Sequence, residues 1–252
     1  MTLLITGGAS GIGAATARLA AARAYKVAIN YRSREADAKK VVADIIGKGG
    51  VAVALPADVS HEADIRSLFD AAEKAVGPIT HLVNCAGISV NARVEDFDEA
   101  VLVKLFAVNT VGLMLCCREA ARRISTKRGS KGGVIVNVSS MAATIGGRPG
   151  VSAYAASKAA VDSFTMGFAK EVAPEGIRAV SLRPGMIETE MTERALADRE
   201  VRAAIESTIA MGRVGQAQEI ANAILWLLSD EASFISGVTL DASGGGFVFG
   251  KR

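Results

Sequence analysis

The stretch TGGASGIG, Thr6 to Gly13, decides how this chain is read: it closes the apolar run LLIT at Leu3 and opens a helical pattern from Ile12 to Arg23. Glycines in a strand-to-helix turn let the backbone come close to a bound group. The helix start beyond them offers unpaired N–H groups and a partial positive charge, which suits a pyrophosphate. Tight turns use glycines for purely structural reasons as well, so the position between strand and helix carries the assignment. Gly7, Ser10, Gly11, Ile12 and Gly13 are the candidate cofactor contacts of this turn.

Outward from that turn, short β-branched runs alternate with segments of helical period. Strands are expected at LLIT near Leu3, KVAINY near Val27, VAVALPAD near Val51, ITHLVN near Leu82, GVIVNVSS near Ile135, IRAVSLRP near Val180 and GVTLD near Val238. Helices are expected over Ile12–Arg23, Arg34–Ile46, Glu62–Val76, Asp98–Arg123, Ala153–Val172 and Ala217–Leu228. Most of the strands are apolar without a polar alternate face, which requires helices on both sides of the sheet. Right-handed crossovers then give an α/β, Rossmann-type doubly wound sheet of seven parallel strands with helices on both faces. The length fits one domain over residues 1–252, with a polar, partly helical, lid-like insertion around 186–211.

Composition narrows the function class. Half of the 252 residues are hydrophobic and the formal charge is only +3. The one basic run, RRISTKRGSK at Arg122 to Lys131, reads as a solvated loop, so no nucleic-acid partner is expected. Cys85, Cys116 and Cys117 have no zinc or redox spacing, which favours a cytoplasmic setting. MTLLITGG is too short for a signal peptide, and no apolar run is expected to reach the roughly 18 residues of a membrane span. His61 and His81 lack carboxylate partners in a ligand pattern, so no metal site is expected. Trp226 reads as core or subunit interface.

The second strand ends at Asn30 and Tyr31, where an acid that holds the adenosine ribose hydroxyls would ordinarily stand. Arg32 and Ser33 follow instead, and a guanidinium suits a 2′-phosphate. NADP is therefore favoured, with NAD possible if Arg32 is only a solvated residue and Glu35 reaches the ribose. Asp58 and Val59, after the third strand, would border the adenine. Asp58 reads equally well as a turn residue.

SAYAASKAA, with Tyr154 and Lys158 four residues apart, carries the chemistry. Helical spacing brings the phenol and the ammonium onto one face. A cation about 4 Å from the phenol at an effective dielectric of about 20 is worth roughly 4 kcal/mol, or about three pKa units. Tyr154 is therefore expected to titrate near working pH as a general acid and base.

In order and spacing these elements resemble the short-chain dehydrogenase/reductase family over the whole chain. TGGASGIG is similar to the family's glycine motif, ADVS to its adenine turn, NCAG at Asn84 to Gly87 to its fourth-strand signature, and VNTVG supplies its asparagine, Asn109. VNVSS, YAASK and RPG at Arg183 to Gly185 correspond to its serine, tyrosine-lysine and nicotinamide-loop motifs. Cys85 departs from the family's usual second Asn.

The resemblance implies hydride transfer between nicotinamide and a carbonyl or secondary alcohol. Tyr154 is the implied acid, Lys158 its tuning cation and ribose contact, and Ser140 the holder of the reacting oxygen. Asn109 is the implied anchor of a water beside Lys158; the alternative is a buried amide bridging backbone groups. The stretch from Ser140 to Tyr154 is one residue longer than the commonest spacing, which leaves Ser139 as an alternative to Ser140. Asn84, Ala86 and Gly87 would line the adenosine ribose, and Pro184, Gly185, Ile187 and Thr189 the nicotinamide, with helix capping as the other reading of Thr189. Family members commonly form homotetramers through the two long helices. For the substrate, an NADPH-dependent ketoreductase of the 3-oxoacyl reductase-like type stands first and a glucose-like sugar dehydrogenase second. A noncatalytic NADP-sensing protein is the reading from another class.

Overall fold

A computed structural model describes residues 1–246; the last six residues of the expected domain lie outside the described residues. At its centre is β1 (Thr2–Thr6), every residue of which is buried. Around it lie β2 (Lys26–Tyr31), β3 (Val51–Pro56), β4 (His81–Asn84), β5 (Gly133–Val138), β6 (Ile177–Pro184) and β9 (Thr239–Ala242), with the two short strands β7 (Ile187–Glu188) and β8 (Gly215–Gln216) apart from this sheet. All seven pair in parallel in the order β3-β2-β1-β4-β5-β6-β9.

Alternate residues of each strand point to opposite faces, and both sets are apolar. Leu3, Ile5, Val27, Ile29, Val136 and Val180 pack against α1 (Gly11–Ala22), α2 (Glu35–Gly47) and α10 (Ala217–Leu228). Leu4, Ala28, Leu82, Ile135 and Ala179 pack against α3 (Glu62–Val76), α5 (Leu113–Ile124) and α7 (Ser152–Val172). The chain reverses its direction of travel across the sheet between β1 and β4, whose carboxyl ends, Thr6 and Asn84, lie side by side. A crevice opens at such a switch point, and the candidate residues gather there.

Four features differ from the sequence reading. The helix expected over Asp98–Arg123 is interrupted: α4 (Glu99–Phe106) passes through a π-helical turn, Ala107–Gly112, before α5. Gly112 permits this, because a Cβ there would lie 2.1 Å from the carbonyl oxygen of Val59. Second, the helical stretch Glu99–Ile124 contains an 18-residue window with a mean hydropathy of 2.0 and is long enough to cross a membrane, contrary to the expectation that no segment reaches that length. Its apolar character is used in part against the sheet, where Leu105, Leu113, Cys116, Cys117, Ala120 and Ile124 are buried.

The third difference is the insertion. It contains α8 (Glu193–Ala197) and α9 (Arg199–Glu206), as partial helicity predicts, but it is not merely polar. Leu196, Ile205, Ile209 and Val214 form a small core of their own with Met186. β7 (Ile187–Glu188) pairs with β8 (Gly215–Gln216) at the base of the insertion and joins its two ends. A short helix, α6 (Ala142–Ile145), follows β5 without a clear signal in sequence.

Candidate active site

The glycine turn is fixed by close contacts that exclude side chains. Gly7 has φ +67°, and a Cβ on it would lie 2.8 Å from the backbone of Ala86; one on Gly13 would lie 2.3 Å from the Gly7 carbonyl oxygen. The turn is thus pressed against the end of β4 and against itself. Ser10 is the N-cap residue of α1 with extended backbone, yet its side chain makes no capping hydrogen bond, which leaves the helix start open to an anion. Ile12 packs on the first core, and its carbonyl accepts from Thr16 Oγ1 at 2.8 Å.

Two residues that hold this cradle were not singled out from sequence as site residues. Asn30, 3% exposed, accepts from Gly7 N at 3.3 Å and donates to the carbonyls of Tyr31 and Ala57 at 3.1 and 2.9 Å. It therefore ties the glycine turn to the ends of β2 and β3. Thr6 Oγ1 accepts from Cys85 N and Ala86 N, both at 3.2 Å, and so ties β1 to β4. Their polar character at the ends of apolar strands was the available signal.

Tyr31 is half-buried, whereas Arg32 and Ser33 are exposed beyond it. Among the described residues Arg32 has no ion-pair partner, whereas Glu35 is 2.7 Å from Lys39 on the next turn of α2. Asp58 behaves as the turn residue. Its Oδ1 accepts from Ser60 N at 2.9 Å and Ser60 Oγ at 2.6 Å, and its Oδ2 accepts from Lys104 Nζ at 2.9 Å. Burial opposes the carboxylate, but these hydrogen bonds and the Lys104 charge hold it well below the usual range. Val59 is buried against Gly112.

Asn84 is buried, donating to Asn137 Oδ1 at 2.9 Å and Cys117 Sγ at 3.3 Å, while its own Oδ1 has no partner. Its side chain thus faces the helix layer rather than the crevice. Gly87 does reach the crevice: a Cβ on it would lie 3.4 Å from Asn109 Oδ1 and 3.5 Å from Lys158 Nζ. Pro184 and Gly185 are pinned through Met141 N and Ala242 O, each at 3.0 Å, and Ile187 is buried in the first core. Thr189 does not cap a helix, because Thr192 is the residue at the start of α8. It approaches Gly11 instead, with its Cγ2 3.2 Å from where a Cβ would stand, so the insertion meets the glycine turn.

Beside this strip α7 presents Tyr154 and Lys158. Lys158 is 4% exposed; its Nζ donates to the Val138 carbonyl at 2.8 Å and lies 6.0 Å from the centroid of the Tyr154 ring. Burial lowers the pKa of this ammonium to about 8, against upward pulls from Cys85 and Asp162. The expected loosening of the phenol by Lys158 is not what the structure shows. Burial raises the pKa of Tyr154, the neighbouring Ser140 hydroxyl lowers it, and Cys85 raises it further. Desolvation sets the direction, and Lys158, whose Nζ is directed at the Val138 carbonyl, is not among the groups that lower it.

Ser139 and Ser140 have different surroundings. Ser139 is buried and its Oγ donates to the Lys158 carbonyl at 3.1 Å, whereas Ser140 lies beside Tyr154 and accepts from Ala142 N at 3.1 Å. Asn109, fully buried in the π turn, bridges backbone groups: Oδ1 accepts from Ile88 N at 2.8 Å, and Nδ2 donates to Ile88 O at 2.9 Å and Ser157 Oγ at 3.1 Å. Both amide hydrogens are engaged, so the side chain is a brace for the loop after β4.

Comparison with known proteins gives the family of the chain. Residues 7–246 match a family model described as enoyl-(acyl carrier protein) reductase. The chain is 43% identical over 247 residues to the uncharacterized oxidoreductase YgfF of Escherichia coli, covering 96% of this chain and 98% of that one. The chain belongs to the short-chain dehydrogenase/reductase family. It is an NAD(P)-dependent oxidoreductase. Other relatives are 3beta-hydroxysteroid dehydrogenase 1 of Eggerthella lenta, 39% identical with 99% and 97% covered, and a 3-oxoacyl-[acyl-carrier-protein] reductase of Rattus norvegicus, 35% identical with 96% and 95% covered. A short-chain dehydrogenase from Burkholderia cenocepacia, solved in complex with NADP, superimposes with a TM-score of 0.89 at 34% identity over 96% of each chain.

Proposed function

We propose that this protein is an NADPH-dependent ketoreductase in which Tyr154 donates the proton and Ser140 holds the carbonyl oxygen. The observation that carries the reading is the half-buried phenol of Tyr154 next to Ser140, on the same helix face as the Lys158 ammonium. Burial keeps the phenol protonated at neutral pH, the form required of an acid in carbonyl reduction. Lys158, with a pKa of about 8, is mostly cationic there and stabilises the negative charge that develops as the proton leaves.

The residues at the switch point fit a dinucleotide. Gly7 and Gly13 let the turn close against Ala86 and on itself where no Cβ would fit, and the start of α1 beside it is uncapped. Ser10, Gly11 and Ile12 would hold the pyrophosphate, Ala86, Gly87 and Lys158 the ribose nearer the nicotinamide, and Pro184, Gly185, Ile187 and Thr189 the nicotinamide. When bound there, the dinucleotide supplies the hydride. Arg32, exposed and unpaired among the described residues, supports NADP as the preferred form, since a 2′-phosphate gives it a partner. Glu35, held by Lys39, is the weaker competitor for ribose hydroxyls.

For the substrate, a 3-oxoacyl thioester is the first reading. It is supported by the relatives that carry that name, and a small homotetramer in the cytoplasm is the accompanying expectation. A panel of 3-oxoacyl thioesters, aldoses, steroid ketones and diketones, followed by NADPH consumption at 340 nm, roughly the reduced nicotinamide absorbance, tests this reading. Turnover of a 3-oxoacyl thioester above the others supports it. Binding of NADPH without consumption across the panel turns the assignment to a sensor.

A further inference from the structure

Tyr154, Lys158 and Asp162 follow one another at intervals of four residues along α7, so that the three share one face of the helix. Asp162 is 4% exposed, and a carboxylate that deep is costly unless something holds it. Two groups do. Ser181 Oγ donates to Oδ1 at 2.6 Å, and Arg183 Nε donates to Oδ2 at 2.7 Å. Both come from β6, and Arg183 also reaches Asp241 on β9 at 3.3 Å. The carboxylate is thus fixed between the helix and the sheet, one turn beyond Lys158, and none of the roles assigned above uses it.

We propose that Asp162 is a positioning residue for the active site: a buried carboxylate, clamped between α7 and β6 one helical turn beyond Lys158, that helps to hold Lys158 as a cation beside Tyr154. The inference rests on the reading of Tyr154 and Lys158 as the catalytic pair. No ion pair forms between Lys158 and Asp162, so the influence is that of a fixed charge across a dry interior, where screening by salt is weak. The groups that face Lys158 are few. Tyr154 and Asp162 come from its own helix and Cys85 from the end of β4; Asn109 and Ser157, nearby, are neutral amide and hydroxyl, and the Arg183 cation from β6 is paired with Asp162 and offsets part of its charge. Asp162 is the one carboxylate among those that act on it, and it pulls upward while burial pulls downward. Cys85, whose thiol burial pushes up to about 11, stays neutral and supplies little field at neutral pH.

The test reads the lysine directly. Protein labelled with 13C at lysine Cε is titrated by NMR, with the Lys158 resonance assigned by its loss in Lys158→Met. In Asp162→Asn, which preserves shape, the midpoint should fall by about one pH unit, and it should return towards wild type in Asp162→Glu. Ser181→Ala loosens the same cluster without altering its charge and should leave the midpoint in place. An unmoved midpoint in Asp162→Asn, or an equal shift in Ser181→Ala, overturns the proposal. In parallel, the alkaline limb of the kcat/KM profile should move down with the NMR midpoint while KM for the cofactor stays constant. A midpoint that moves without the limb overturns the catalytic reading of Lys158 and leaves the charge relation standing.

Discussion

At the residue scale the site is built from groups held away from their solution behaviour. Lys158 is the sharpest case, since burial lowers its pKa to about 8 from 10.5. The sign of the consequence follows from proton counting. Between those two values the unfolded chain binds a proton that the folded chain has released, so stability rises with pH through that window. Below about 8 both states are charged and the folded state bears the full desolvation cost. Lys158→Met is therefore expected to raise stability at pH 7 by about 1–2 kcal/mol in urea unfolding while carbonyl reduction is lost; a destabilised variant contradicts this. The serines offer a second contrast. Ser140→Ala should lower kcat/KM by about 10²-fold or more, because it stands beside the phenol. Ser139→Ala should retain turnover and cost about 1 kcal/mol, because its hydroxyl serves the Lys158 carbonyl.

At the element scale the π turn is the feature that hydropathy did not reveal. The run from Asp98 to Arg123 has helical apolar spacing throughout, and nothing in that spacing distinguishes a π turn from an α turn. What distinguishes the end of this turn is a distant loop: the carbonyl of Val59 comes so close to Gly112 that no Cβ fits. Gly112→Ala should cost more than about 3 kcal/mol, or the turn should shift and carry Asn109 with it. Thermal unfolding and activity measured together separate these outcomes. Asp58 shows a similar limit of sequence. Its motif suggested an adenine contact or a turn, and only the packing of Lys104 from α4 shows the carboxylate engaged within the turn. Either Asp58→Ala or Lys104→Met should cost about 1–3 kcal/mol and affect cofactor binding mainly through the backbone of the turn.

At the scale of the whole molecule, the seven strands of the parallel sheet and the cover on both its faces were legible because they depend on local period, whereas the strand order was read only from the structure. Leu3, Leu4 and Ile5 in succession demand cover on both faces of β1. The glycine turn and the Tyr154–Lys158 pair were legible because spacing alone brings them to the crevice. The cradle residues Asn30 and Thr6 were not, since their partners lie 27 and 79 or more residues away in the chain. The electrostatics of Tyr154 escaped the sequence for the same reason: proximity suggests attraction, whereas burial, a property of the entire fold, decides the sign. Val103, Val111 and Met166 remain exposed on α4, the π turn and α7. If those helices form the proposed tetramer, light scattering should give about four times the 26.0 kDa chain mass, and Val103→Glu with Val111→Glu should reduce it. At the adenosine end, Arg32→Ala should weaken NADPH binding about tenfold or more and NADH binding little; equal losses for both would leave Arg32 a surface residue.

The most direct test of the central claim is a single-turnover measurement of NADPH oxidation by Tyr154→Phe with a reducible 3-oxo substrate. Substitution removes only the phenolic oxygen, so NADPH affinity should stay within a few-fold of wild type while the rate of hydride transfer falls by about 10²–10⁴-fold. Hydride transfer at the wild-type rate would contradict Tyr154 as the proton donor.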